Sequence, residues 1–214
     1  MTSQSALFEL PGELPHGLIY QPDFLTPAEE ADLVAELVQL PLKEARFQQY
    51  TARRRVARFG EGDYPSTRGL VAEESNPRQP FPPFLAALRR RVAKWRGIAE
   101  TVLVHALVTE YQPRTPIGWH SDAPHFDIVV GISLSGSVRM RFRPYAAKNV
   151  RSACIELELA PRSAYVLQDD IRWRWQHHIP PTKVLRYSIT FRTLLAQQEP
   201  ARIARDKRLA NSRI

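Results

Sequence analysis

A single cysteine, Cys154, among 214 residues rules out an intramolecular disulfide and any cluster of thiolate ligands. Any metal bound by this chain must therefore sit on imidazole and carboxylate. Long apolar runs are missing as well. No stretch reaches the length of a membrane span, and Glu9 and Glu13 fall where a secretory leader would place its apolar run. A cytoplasmic protein that does not enter membranes is the expectation. Glycine numbers only 9, and none of it builds a phosphate-binding loop. Ser121 and Ser163 lack the flanking glycines of a nucleophile elbow. Acidic residues are outnumbered, 22 against 30 Lys and Arg, which leaves a net charge of +8. An ordinary basic enzyme would carry the same sign, but the excess favours a polyanionic partner, nucleic acid first, because phosphate neutralisation is the sequence-independent part of such binding.

The length fits one domain with a full core. Residues 1–16 are polar and punctuated by proline, and read as an N-terminal arm. Gly17 to Tyr20 reads as a short strand. Thr26-Pro27-Ala28-Glu29 is a helix start, with a capping hydroxyl, proline at the first helical position and a glutamate three residues after the threonine. The helix it opens should run to about Leu40 on a stripe of Leu33, Leu37 and Leu40. From 47 to 70 the composition turns basic and aromatic, with Arg53, Arg54, Arg55 and Arg58 followed by Phe59, Gly60, Gly62, Tyr64 and Pro65. This segment reads as a hairpin or mobile lid. Its cations suit phosphate and its rings suit stacking on a base, as recognition of single-stranded or flipped nucleotides requires; a solvated charge run with packed aromatics has the same composition.

After a proline-rich connector, Phe84, Leu88, Val92 and Trp95 recur at helical spacing, with Arg89, Arg90, Arg91 and Lys94 on the other faces. Strand patterns follow at 101–111, 128–134, 138–142, 155–159, 163–167 and 186–193, and Ser135-Gly136-Ser137 reads as a hairpin turn between the second and third. Two early helices and then a run of strands predict an α+β domain, with a jelly roll as the natural closure. A single domain over 17–200, acting as a monomer, leaves 201–214 as a basic tail that adds to the attraction for nucleic acid.

The chemistry concentrates at Trp119-His120-Ser121-Asp122. A histidine and a carboxylate two apart can share one face of a redox metal, and a second histidine would complete the two-His-one-carboxylate triad of non-haem Fe(II) oxygenases. His177 and His178 both offer that ligand. Beyond them, Arg186 and Arg192 stand an even number of residues apart on a strand, so both side chains emerge from one face together with Ser188 and Thr190, while Tyr187, Ile189 and Phe191 fill the other. Planar guanidinium grips carboxylate bidentately.

The order His-x-Asp, distant His, then Arg-Tyr-Ser-Ile-Thr-Phe-Arg resembles the AlkB family of Fe(II)/2-oxoglutarate-dependent dioxygenases over about 17–195. The resemblance implies a double-stranded β-helix (a jelly roll), the cofactors Fe(II), 2-oxoglutarate and O2, and oxidative demethylation of alkylated nucleobases in DNA or RNA with release of formaldehyde and succinate. It implies His120, Asp122 and His177 as metal ligands, with His178 where the family has a glycine. Thr109, Tyr111, Arg186, Ser188 and Arg192 take the positions that bind 2-oxoglutarate, although Thr109 and Ser188 stand where the family has asparagine. Residues 47–70 correspond to a nucleotide-recognition lid, in which Arg54, Arg58, Phe59 and Tyr64 would contact substrate. The acidic residue that helps to read the damaged base in several members has no match directly after Asp122; Asp127 would have to serve from farther along, and Arg141 is a further candidate at the mouth. That gap leaves modified tRNA or a protein side chain as alternative substrates, and a non-catalytic nucleic-acid-binding jelly roll as the alternative to an enzyme.

Overall fold

The computed structural model describes residues 14–47, 50–60, 79–145 and 154–195. The first helix, α1 (Pro27–Val38), opens as the sequence implies: Thr26 Oγ1 accepts from the Glu29 backbone N–H at 3.2 Å, and Glu29 Oε2 accepts from the Thr26 backbone N–H at 2.8 Å. The second, α2 (Pro83–Arg96), stops at Gly97, whose φ of 65° is the left-handed cap that glycine adopts without strain. Its buried face is Leu85, Leu88, Val92 and Ala93, and Phe84 and Trp95 flank that face half-buried.

Eleven strands form two sheets among the described residues. They are β1 (Leu18–Gln21), β2 (Lys43–Phe47), β3 (Tyr50–Gly60), β4 (Leu103–Tyr111), β5 (Ile117–His120), β6 (Phe126–Leu134), β7 (Val138–Pro144), β8 (Ile155–Leu159), β9 (Ala164–Leu167), β10 (Trp175–Ile179) and β11 (Arg186–Leu194). The larger sheet runs β1-β9-β6-β11-β4-β3-β2 and the smaller β5-β10-β7-β8. All named pairs are antiparallel. A short helix, α3 (Asp169–Trp173), leads into β10. Among the described residues no helix is long and apolar enough to cross a membrane.

Two apolar cores divide along the alternation of the strands. On one side of the larger sheet Val130, Ile132, Leu134, Tyr187, Ile189 and Phe191 pack with Leu37, Leu85 and Val92 of the two helices. Between the sheets Val129, Met140, Phe142, Leu157, Tyr165 and Leu167 form the second core. The odd residues of β11 thus face the helices and the even ones face the space between the sheets, as the sequence implies.

The connection at Ser135 to Ser137 corrects one expectation. It is not a hairpin turn: β6 pairs with β9 and β11, while β7 pairs with β10 and β8, so this corner carries the chain from one sheet to the other. Local turn chemistry reads alike in both cases. Of the two readings of the basic segment 47–70, a hairpin or a mobile lid, its first half fits the hairpin: β3 pairs antiparallel with β2, Tyr50 opposite Phe47, and lies between β2 and β4 in the larger sheet. Phe59 consequently enters the helix-side core at 2% exposure and cannot stack on a base. Tyr64, the rest of the lid, the arm up to residue 13 and the basic tail lie outside the described residues.

Candidate metal centre and co-substrate chamber

Strand pairing brings the two ends of the histidine motif together. His120 closes the short strand β5, and its cross-strand partner on β10 is His177, so their rings meet with centroids 4.2 Å apart. Nδ1 of His120 lies 2.8 Å from the carbonyl of Gly118. Donation there fixes the tautomer that leaves Nε2 available as a ligand. Asp122 follows in the loop, and its Oδ2 is 3.6 Å from Nε2 of His177. His178 points to the other face of β10, where it stacks on Trp119 at 5.1 Å. The geometry therefore groups His177, not His178, with His120 and Asp122.

Protonation suits this trio to a divalent cation. Burial, reinforced by the neighbouring His120, pushes the His177 imidazolium down to about 3, and burial also lowers His120. Both rings are thus neutral donors at neutral pH. Burial alone would raise the Asp122 carboxyl, but Arg192 chiefly, with His177 and Arg172 behind it, holds it well below the usual carboxylate range. One oxygen of Asp122 is engaged by Arg192, and among the described residues no three His, Cys, Asp or Glu side chains are gathered closely enough, as they are placed, to hold an ion. The donor types, two neutral imidazoles and one carboxylate, fit Fe(II).

The chamber beyond is built by β4 and β11. Tyr111 pairs with Arg186 and Thr109 with Ser188, so four of the five expected co-substrate residues form two adjacent cross-strand pairs. Arg186 is 0% exposed. Its Nε donates to Ser133 Oγ at 3.2 Å and its Cζ lies 5.1 Å from the Tyr111 ring centroid, yet both terminal nitrogens are buried without a hydrogen-bond partner. A fully buried guanidinium lacking two bonds is costly, and a carboxylate of the co-substrate is the group that would supply them bidentately. Arg192, the fifth residue, donates to Asp122 Oδ1 at 3.0 Å and lies 3.2 Å from Nδ1 of His105.

The expected substrate residues separate. Val56 pairs with Thr109 and Arg58 with Leu107 across β3 and β4, so Arg54, Val56 and Arg58 share the chamber face of the larger sheet. The charge of Arg54 is felt at both Tyr111 and His120. Arg55 points the opposite way, into a paired contact with Glu110 at 2.7 Å. Two other candidates face elsewhere. On β7 the alternation buries Met140 and Phe142, so Arg141 lies on the outer face of the smaller sheet, 2.7 Å from Glu156. Asp127 borders a groove with Ile98, Val102 and Leu194, none of which belongs to the chamber.

Sequence reasoning missed Arg172, which is 3% exposed and binds the loop after Asp122. It donates to the backbone carbonyls of Ala123 and Phe126, each at 2.7 Å, and of Asp127 at 3.1 Å. Of the two arginines that flank Trp173, only Arg172 is turned inward, and Arg174 is exposed. Tyr165 on β9 and Ser133 on β6 were also missed.

Residues 17–204 match the family described as the 2OG-Fe(II) oxygenase superfamily. The chain is 30% identical over 187 residues to the alkylated DNA repair protein ALKBH8 homolog of Arabidopsis thaliana, covering 78% of this chain and 52% of that protein. It is 26% identical over 176 residues to the probable RNA/DNA demethylase ALKBH6 of Danio rerio, covering 78% and 70%. The chain belongs to the 2OG-Fe(II) oxygenases of the AlkB family. This AlkB-family oxygenase spans about half the length of two of the curated relatives it matches. Its fold matches that of OsALKBH1 with a TM-score of 0.62 at 15% identity, over 85% of this chain and 100% of that one. A Pseudomonas putida prolyl-4-hydroxylase shares the fold at a TM-score of 0.54 and 15% identity, over 85% and 95%. The family uses Fe(II), 2-oxoglutarate and O2, and His120, Asp122, His177 and the two open terminal nitrogens of Arg186 are the groups of this oxygenase that fit them.

Proposed function

We propose that this AlkB-family oxygenase removes N-methyl groups from alkylated nucleobases in DNA or RNA. The observation that carries the substrate class is the placement of Arg54 and Arg58 on the chamber face of β3, beside Thr109 and Tyr111. Cations there can hold the phosphates that flank a base inserted toward the triad. The net charge of +8 acts in the same sense, and relatives described as an alkylated DNA repair protein and a probable RNA/DNA demethylase support it.

In this reading His120, Asp122 and His177 hold the metal, and Arg186, with Tyr111, Thr109 and Ser188, binds the far carboxylate of 2-oxoglutarate. Held by these residues, Fe(II) would supply the chemistry that couples the decarboxylation of 2-oxoglutarate by O2, to succinate and CO2, to hydroxylation of an N-methyl group, whose hydroxymethyl adduct would release formaldehyde and leave the unmodified base. The residues of the chain bind and orient. His120 keeps its ligand nitrogen aimed through the Gly118 carbonyl. Arg192 keeps Asp122 ionised. The buried wall around Arg186 excludes water from the co-substrate. No protein general base is required.

A second reading keeps the oxygenase and changes the substrate to a modified tRNA or a protein side chain. It is supported by the place of Asp127 in a groove beside Ile98 and Val102, apart from Thr109, Tyr111 and Arg186. One experiment separates the two. The protein is incubated with Fe(II), 2-oxoglutarate, O2 and oligonucleotides carrying 1-methyladenine or 3-methylcytosine, and base mass and succinate are followed with His120→Ala as control. Loss of one methyl mass with matching succinate, absent in the control, is the expected result. Succinate without demethylation would favour the second reading, and neither product from iron-loaded protein would defeat both.

A further inference from the structure

We propose that Tyr165 is a second holding group for the far carboxylate of the co-substrate, and that Tyr165 and Gly131 together set which 2-oxo acid the chamber accepts. The inference rests on the chamber assigned above and goes beyond it in naming a residue that the His-x-Asp, His and Arg-x5-Arg pattern does not include.

The argument begins with β9, an Ala-Tyr-Val-Leu strand buried at every position. Ala164 and Val166 enter the helix-side core, whereas Tyr165 and Leu167 face the space between the sheets. Tyr165 is therefore on the Arg186 side of the larger sheet, 4% exposed. Its cross-strand neighbour on β6 is Gly131. A Cβ at Gly131 would lie 2.2 Å from Tyr165 Cζ and 2.5 Å from its hydroxyl oxygen. The phenol thus lies across Gly131, in room that only glycine leaves. Leaning over β6 carries the hydroxyl away from β9 and toward β11, where Thr190 stands opposite Gly131 and Ser188 and Arg186 follow farther along the same face. Ser133, two residues along the same face of β6, receives the Nε of Arg186.

Hydrogen-bond chemistry then asks for a third party. A buried phenol hydroxyl needs a partner, and Arg186 cannot accept its proton because guanidinium is a donor only. The two terminal nitrogens of Arg186 lack acceptors. A carboxylate set between them would fill the two open positions of Arg186 with a bidentate pair and could take one O–H donation from Tyr165. Tyr165 also carries positive neighbours: Arg186 and Arg192 both act on it electrostatically. The side chain closes the β9 side of the chamber with a donor rather than with a methyl group, so it favours 2-oxo acids that end in a carboxylate and disfavours those that end in hydrocarbon.

Direct binding tests this without turnover. Dissociation constants are measured by anaerobic titration calorimetry on the Mn(II)-loaded full chain, for 2-oxoglutarate and for 2-oxobutyrate, which has the chelating end and no far carboxylate. Tyr165→Phe is expected to weaken 2-oxoglutarate about tenfold or more, as removal of a hydrogen bond to a charged group does, and to leave 2-oxobutyrate as in the unaltered protein. Gly131→Ala, which must displace the phenol, is expected to show the same selective loss. Equal binding of both acids by Tyr165→Phe and the unaltered protein would overturn the proposal, and so would a parallel loss of both, which marks a packing role. Failure of the unaltered, metal-loaded protein to bind 2-oxoglutarate would instead bring down the chamber assignment on which the proposal stands.

Discussion

Arg192 donates to Asp122 at 3.0 Å, and both side chains are close to fully buried. The pair ties β11, at the centre of the larger sheet, to the loop that follows β5 in the smaller one, so the carboxylate of the triad is positioned by the strand that also carries Arg186. Removing one partner of a buried pair leaves the other charge uncompensated. Arg192→Met is expected to lower stability by about 3 kcal/mol and to weaken Mn(II) binding, because Asp122 then regains a proton more readily. Urea unfolding and metal titration of the same samples check it; unchanged metal affinity would show that Asp122 needs no help from Arg192.

Arg172 acts on the same loop from the other side, through three backbone carbonyls. It also belongs to the helix that leads directly into β10 and His177. Arg172→Ala is expected to cost about 3 kcal/mol through unsatisfied buried carbonyls. Arg172→Lys is expected to recover little, since a point-like ammonium cannot span three acceptors as the planar fork does. Metal affinity should fall in step with stability in both variants.

His177 and His178 make a clean contrast. His177→Ala is expected to abolish metal binding and succinate formation. His178→Ala removes only the stack on Trp119 and should keep metal affinity within a few-fold, with stability reduced by about 1 kcal/mol. Loss of the metal in His178→Ala alone would reverse the ligand assignment.

Glu110 supplies a pH dependence away from the site. Burial would raise its carboxyl, but hydrogen bonds from Arg55, Gln112 and Tyr187 lower it below the ordinary value of 4.5. The folded state therefore holds this carboxylate more tightly ionised than the unfolded chain does. Its contribution is full above about pH 4.5 and is lost as the pH falls below that. Glu110→Gln should be less stable than the parent by about 1–2 kcal/mol at neutral pH and should lose less of its stability between pH 5 and 3. Parallel stability curves for the two proteins would refute this account.

The sequence by itself determined what depends on periodicity and residue chemistry. The capping box at Thr26 and Glu29 set the start of α1 through contacts within one turn. The even spacing of Arg186, Ser188 and Arg192 put them on one face of β11, because the strand repeat is two whatever the strand pairs with. His120, Asp122 and the later histidines announced their donor chemistry by type alone. The tertiary structure decided what depends on which strands pair. Local signals could not choose between His177 and His178; the register of β10 against β5 did, since it turns one imidazole to Asp122 and the other to Trp119. Ser135 to Ser137 read as a hairpin because a tight turn looks the same whether the chain returns along its own sheet or crosses to another. Phe59 and Arg141 read as substrate contacts because an exposed side chain and one inserted in a core or turned to an outer face carry the same letter. Tyr165 over Gly131, set by the pairing of β9 with β6, and Arg172 on three carbonyls join segments distant in sequence, which only the folded chain brings together.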